Sequence, residues 1–301
     1  MILNEIKKDL KYSKNLTLTS KYIILYKGAS VAVYDYKFVC LKKIRNLKYV
    51  YNGYVSPDET KLLLVSNTNR YYLISLEDFS VLSTHSIKSP YDEGLEGRAC
   101  WTSNNSFILP VQNSISMLST LRKYNCDSSA SFEDFLAELF WIRYVTFVSK
   151  NDSYLIIGLD RNKYNWNVVW MDKCGNYTSY RIEYFDEAIF DVSVCYDDEK
   201  IILTGESTIY CCDFHGFPAD ILKNNKYENI IYHGFPLFVK CSKSNDAIVY
   251  LGTTNELVIH DLEHNITIGS YHMEFGARGI EELNDIMFVC SSDGIKPISL
   301  L

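Results

Sequence analysis

Apolar residues in this chain fall into short runs separated by Asn, Asp, Gly and Pro, and residues 54–82, YVSPDETKLLLVSNTNRYYLISLEDFSVL, show the pattern most clearly. A strand ending at Ser56 meets a turn at Pro57, Asp58 and Glu59, a place that accepts the fixed φ of proline. Residues 61–66 follow as an apolar strand, Asn67 and Asn69 supply the next turn, and residues 71–76 alternate as a third strand. After an acidic turn at Glu77 and Asp78, a last strand starts at Phe79 and runs through Leu82. The stretch predicts one four-stranded antiparallel sheet.

The plan recurs along the chain, and a recurrence of about 40 to 50 residues changes the whole fold expectation. Residues 16–44 carry two apolar runs around Lys27 and Gly28 and a third strand ending at Tyr34 and Asp35. Residues 99–126 turn at Asn104-Asn105 and again at Gln112-Asn113. Residues 146–182 turn at Asn151-Asp152 and have a longer loop at 161–165. Further copies occupy 191–222, 238–271 and 279–301. Expected sheet boundaries are 16–44, 51–87, 97–126, 144–182, 189–222, 236–271 and 278–301, the last completed by 1–11.

The most specific recurrence is a third strand ending in Asp: AVYD at Asp35, VVWMD at Asp172, YCCD at Asp213 and VIHD at Asp261. Ser75, Ser119 and Ser299 are read at that position in the second, third and seventh copies. This resembles the WD40 and YVTN-like β-propeller superfamily, whose third strand often ends in Trp-Asp, and the resemblance covers nearly the whole chain. It implies an all-β fold: a single seven-bladed β-propeller domain of four-stranded antiparallel blades. The chain lacks a Gly-His pair at WD40 spacing and a literal Trp-Asp dipeptide. The resemblance therefore implies architecture, and not that family's internal Asp–His hydrogen-bond network.

The last copy stops after its third strand, so one outer strand is missing. Residues 2–10 precede the first copy and can supply it, closing the ring and removing exposed edges. Ile2, Ile6 and Leu10 also fall at helical spacing; the missing strand favours the strand reading. One segment breaks the all-β pattern: FEDFLAELFW, with apolar Phe132, Phe135, Leu136, Leu139 and Phe140 behind Ser131 as cap, predicts a short helical insertion near 131–141. Excursions at 88–98 and 223–236 join it between outer and inner strands, so propeller geometry puts all three on one face. Binding usually sits on such loops.

Composition narrows the function classes. Aromatic residues make up 14% of the chain, with 24 Tyr and 15 Phe, which suits pleated surfaces. The net charge of −7 gives no overall field for a phosphate backbone. The densest basic stretch, 37–48, falls on an outer strand and its turn and reads as a guard against edge pairing, so nucleic acid is disfavoured. Nine cysteines without CxxC spacing read as buried free thiols. With no long apolar segment at the N-terminus, a cytoplasmic, monomeric protein away from membranes is expected.

No phosphate-cradling or nucleophile-elbow motif occurs, and no cofactor is implied. His260 to His264 spell H-x-x-E-H, a zinc pattern on a helix, but here they cross a strand and a turn, so no metal is expected. Some YVTN-like propellers are lactonases that gather Glu, Arg, His and Asp from several blades at the central channel. That resemblance makes Glu93, Arg98, Arg143, Asp191 and Arg278 channel-mouth candidates, against an ordinary reading as rim ion pairs. Trp141 is expected beside the insertion and Trp166 in the long loop of the fourth copy, where an aromatic can anchor a partner.

The expected function is a non-catalytic protein-interaction scaffold, with Tyr91, Trp141, Tyr227 and Tyr232 as anchors and Glu93, Glu96 and Arg98 tuning specificity. The alternatives are a lactonase-like or other hydrolase at the channel, and an immunity or inhibitor protein whose acidic surface blocks a basic enzyme.

Overall fold

The computed structural model describes residues 13–66, 68–88, 98–127, 131–148, 152–182, 188–195, 200–205, 209–214, 221–225, 236–242, 247–252, 256–261, 264, 266–272, 277–284, 286–291 and 294–299. Strands β1 to β26 account for the regular structure, and no helix occurs among the described residues. Two compact units divide the chain: Met1–Leu18 with Glu187–Leu301, and Thr19–Asp186. Strand β1 (Asn15–Leu18) belongs to the first.

In the unit 19–186, β2 (Ile23–Tyr26), β3 (Val31–Tyr34) and β4 (Cys40–Ile44) pair antiparallel in sequence order. A four-stranded sheet follows from β5 (Val50–Val55), β6 (Lys61–Ser66), β7 (Arg70–Ser75) and β8 (Val81–Ser86). The next seven strands form one sheet: β9 (Cys100–Ser103), β10 (Ser106–Gln112), β11 (Ser119–Asn125), β12 (Phe132–Val148), β13 (Ser153–Asp160), β14 (Asn165–Asp172) and β15 (Tyr177–Arg181).

The other unit holds two more four-stranded sheets. One comprises β16 (Asp191–Cys195), β17 (Lys200–Thr204), β18 (Ile209–Phe214) and β19 (Ile221–Asn225). The second comprises β20 (Pro236–Cys241), β21 (Ala247–Gly252), β22 (Glu256–Asp261) and β23 (Ile266–His272). Three strands end the described chain: β24 (Ala277–Leu283), β25 (Ile286–Ser291) and β26 (Gly294–Ser299). Residues 1–11, expected to complete that last sheet, lie outside the described residues.

The middle strands are apolar runs because both of their faces are covered. In β6 every residue from Leu62 to Ser66 is buried, whereas the edge strand β8 is mostly exposed. The core accordingly lies between successive sheets. Ile24, Tyr26, Val31 and Val33 pack on Val50, Leu62, Leu64, Tyr72 and Ile74, and on the far side Leu63, Tyr71 and Leu73 meet Trp101, Phe107, Leu109 and Tyr124.

First strands of successive sheets lie side by side: β5 by β9 and β9 by β12 in one unit, and β16 by β20, β20 by β24 and β24 by β1 in the other. Polar groups pin them. Trp101 Nε1 donates to the Tyr54 carbonyl at 2.8 Å. The Val239 and Cys241 N–H groups each donate at 3.0 Å, to Asp191 Oδ2 and Ser193 Oγ. Lys240 Nζ meets Glu281 Oε2 at 2.7 Å. Turns between first and second strands are linked likewise, the Ser20 N–H donating to the Glu59 carboxylate and the Asp58 N–H to Asn104 Oδ1.

The recurrent Asp closes the turn after the third strand. Asp35 Oδ1 accepts the N–H groups of Lys37 and Val39, and Asp172 Oδ1 those of Cys174 and Asn176. Ser75 Oγ does the same more weakly for Glu77 and Asp78. In the third copy the register differs from expectation: Ser119 opens β11, and Asn125 occupies the turn position, accepting the Asp127 N–H at 3.1 Å. Phe79 also differs, sitting in a turn with φ 59° before β8.

Two further corrections concern cysteine and the insertion. Cys100 and Cys290 are buried free thiols, Cys40 and Cys174 are exposed ones, and Cys241 is disulfide-bonded. Burial pushes the Cys100 thiol up to about 12. The segment expected as a helix near 131–141 is strand β12. Its first residues pair with β11, Phe132 opposite Tyr124 and Phe135 opposite Leu121, so the sheet's demand for a fourth strand overrides local helical spacing. Arg122 and Asp134, opposite one another, form a two-point ion pair at 2.7 and 2.8 Å, and the Arg122 guanidinium stacks over Phe132 at 3.9 Å.

Candidate interaction surface

Strand β12 leaves one four-strand set and enters the next without a connecting loop. After Phe135, four residues, 136–139, stand opposite the single position Thr120 before Phe140 pairs with Ser119. Leu136 (φ 48°) and Glu138 (φ 52°) adopt the left-handed conformation that costs a non-glycine residue about 1 kcal/mol or more. This bulge re-aims the strand, which then pairs with β13 from Trp141 to Val148.

Several contacts hold the bulge. Asn113 Nδ2 donates to Glu138 Oε1 at 2.7 Å, while Asn113 Oδ1 accepts the Ile115 N–H at 2.8 Å and so shapes the turn after β10. Ser119 Oγ accepts the Ile142 N–H at 3.1 Å. On either side of the bulge, two aromatic rings sit on glycines. A Cβ at Gly158 would stand 2.8 Å from Phe140 Cβ, and one at Gly175 would stand 2.7 Å from the Phe135 ring.

Four of the large exposed apolar side chains belong to the turns and the bulge joined here. Ile115 and Met117 project from the turn after β10, Leu139 from the bulge, and Tyr164 from the turn after β13; Ile115 is 85% exposed and Tyr164 82%. Beside them Trp141 is half-buried, its ring 6.0 Å from that of Trp166, and its buried Nε1–H has no hydrogen-bond partner among the described residues.

Of the residues singled out from sequence, Arg98, Trp141 and Arg143 fall in the unit 19–186. Arg98, half-buried before β9, places its guanidinium carbon 5.4 Å from the Tyr144 ring centroid, which brings it to the inner part of β12 that carries Trp141 and Arg143. Trp166, expected in a loop, is instead a buried residue of β14. In the other unit Asp191 is buried, its carboxylate accepting the Val239 N–H, and Arg278 lies on β24. Tyr91, Glu93, Glu96, Tyr227 and Tyr232 lie outside the described residues. His260 is buried in β22, and His264 in the following turn bonds Asp261 through Nδ1 at 2.9 Å.

No protein-family model matches the sequence, and no curated protein matches it. Solved structures do. A chain of hydrazine synthase from Kuenenia stuttgartiensis superposes with a TM-score of 0.76 at 11% identity, covering 99% of this chain and 98% of that one. The β-propeller domain of Cps50 (Swd1) from Myceliophteria thermophila gives 0.77 at 12% identity, with 97% and 98% covered. The chain has a β-propeller fold. Because 1724 solved chains match, and because these two come from such different proteins, the fold by itself selects no activity.

Ile115, Met117 and Leu139 were not singled out from sequence. Ile115 and Met117 sit in a Ser-rich turn, where no spacing rule marks an exposed apolar side chain. Leu139 was counted on the apolar face of the expected helix. A turn holding two large apolar residues among its serines was the one available signal.

Proposed function

We propose that this protein is a seven-bladed, closed β-propeller, with residues 2–10 as its last strand, that binds a protein partner and catalyses no reaction. The observation that carries the reading is the grouping of exposed Ile115, Met117, Leu139 and Tyr164 over a rigid, strained bulge beside Trp141. Backbone strain persists only where surrounding contacts over-determine it, and it concentrates at functional sites. An apolar cluster flanked by aromatics is how partner surfaces anchor. Arg98 and Trp141 are partner-facing residues in this reading, together with Tyr91, Glu93, Glu96, Tyr227 and Tyr232.

The test compares affinity capture by the wild-type chain with capture by an Ile115→Asp/Leu139→Asp/Tyr164→Ser variant of equal thermal stability. A partner held by the wild type and lost by the variant is the expected result. A partner held equally by both would overturn the assignment of this surface.

A further inference from the structure

Strand β4 and its flanks differ in charge from the rest of this acidic protein. Residues 36–57 contain no Asp or Glu, yet they include Lys37, Lys42, Lys43, Arg45 and Lys48. All five cations are exposed, and among the described residues none of their side chains makes an ion pair or hydrogen bond. The nearest acid in sequence, Asp35, has Oδ1 committed to two backbone N–H groups. Exposed apolar residues interleave with the cations: Val39, Leu41 and Tyr49.

Strand β4 is also a sheet edge, the terminal strand of its sheet. Its outward backbone groups therefore have no strand partner among the described residues. Lysine on an edge strand usually guards against pairing between copies. That device is thinner on the other closing strands of the described sheets: β8 (VLSTHS) and β23 (ITIGSYH) carry no Lys or Arg, and β15 (YTSYR), β19 (ILKNN) and β26 (GIKPIS) carry a single cation each. The cations are concentrated on one edge, with a line of backbone groups between them that have no strand partner among the described residues.

From this we infer that β4 is a docking edge for an extended, acidic segment of a partner protein, which adds as a strand beside residues 40–44 and places its carboxylates against Lys42, Lys43 and the flanking cations. An added strand satisfies the backbone edge and offers alternate side chains to both faces. Charge complementarity selects an acidic segment and repels other copies of this edge. The exposed aliphatic residues Val39 and Leu41 favour a peptide. Single-stranded nucleic acid relies on successive aromatic stacking platforms, and in this stretch Tyr49 is the one largely exposed ring, Phe38 being half-buried.

The experiment titrates the 301-residue chain into a fluorescein-labelled peptide of alternating Glu and Val, followed by anisotropy. Binding is expected to weaken as salt rises, and to weaken roughly tenfold or more in Lys42→Glu/Lys43→Glu. Lys42→Gln/Lys43→Gln should give a smaller loss, and unchanged melting temperatures show that both variants fold. The same peptide with alternate backbone nitrogens methylated keeps its charge and is expected to bind roughly tenfold more weakly. Equal binding of the methylated peptide would overturn strand addition. Failure of the acidic peptide to bind, equal binding by the charge-reversed variant, or tighter lysine-dependent binding to phosphatidylserine vesicles or oligouridylate would overturn the assignment of the partner.

Discussion

Arg122 and Asp134 face each other across β11 and β12 and meet in a fork, Nε to Oδ1 at 2.7 Å and Nη2 to Oδ2 at 2.8 Å. Arg122 is buried while Asp134 keeps about a third of its side chain in water. Removing the acid alone strands a buried guanidinium. Asp134→Ala should cost about 1–3 kcal/mol, less than a fully buried pair because of that exposure. Arg122→Met/Asp134→Leu should recover most of the loss, which urea midpoints at constant slope would show.

Gly158 lies opposite Ile142 in ordinary strand geometry, so its requirement is steric. Gly158→Ala should push Phe140 and the bulge away from β13 at a cost of about 1–3 kcal/mol. Its signature is a larger loss than Gly269→Ala, where an added Cβ would meet nothing nearer than 3.6 Å, measured by thermal denaturation of both variants.

Trp101 pins β9 to β5 through its indole N–H. Trp101→Phe keeps a ring against Phe107 but loses that bond, so a loss of about 1–2 kcal/mol is expected in denaturant unfolding. A change within error would mean that the bond has no net worth.

The Asp78 carboxylate accepts bonds from the Ser80 hydroxyl and Ser80 N–H, which hold its pKa down at about 2. A carboxyl lowered by folding contributes stability that is present above its unfolded value, about 4, and is lost as pH falls towards 2. Asp78→Asn should therefore lose less stability than the wild type between those two pH values. Parallel pH profiles for the two proteins would remove Asp78 from the acid response.

Much of the fold was legible because fully covered strands cannot hide their apolar runs. Residues 61–66 form β6 as expected, and the turn at Pro57, Asp58 and Glu59 falls where proline chemistry put it. Residues 132–141 were not legible in the same way. Phe132, Phe135 and Leu136 satisfy a helical period, and nothing local reveals that Tyr124 and Leu121 wait for a partner strand. Ser119 was misplaced because residues 114–117 alternate polar and apolar as a strand would, yet they form the turn before β11. For the candidate surface, Trp141 and Arg98 could be named from the sequence. Ile115, Met117 and Leu139 become visible only once Asn113 and Glu138 are seen to join the turn and the bulge.

Because β12 supplies hydrogen bonds to both β11 and β13, neither four-strand set can open without stripping a strand from the other. Residues 100–181 should then lose amide protection in hydrogen exchange as one cooperative block, where sets joined by a free linker could exchange separately. A partner seated on the bulge would brace both halves of that block at once.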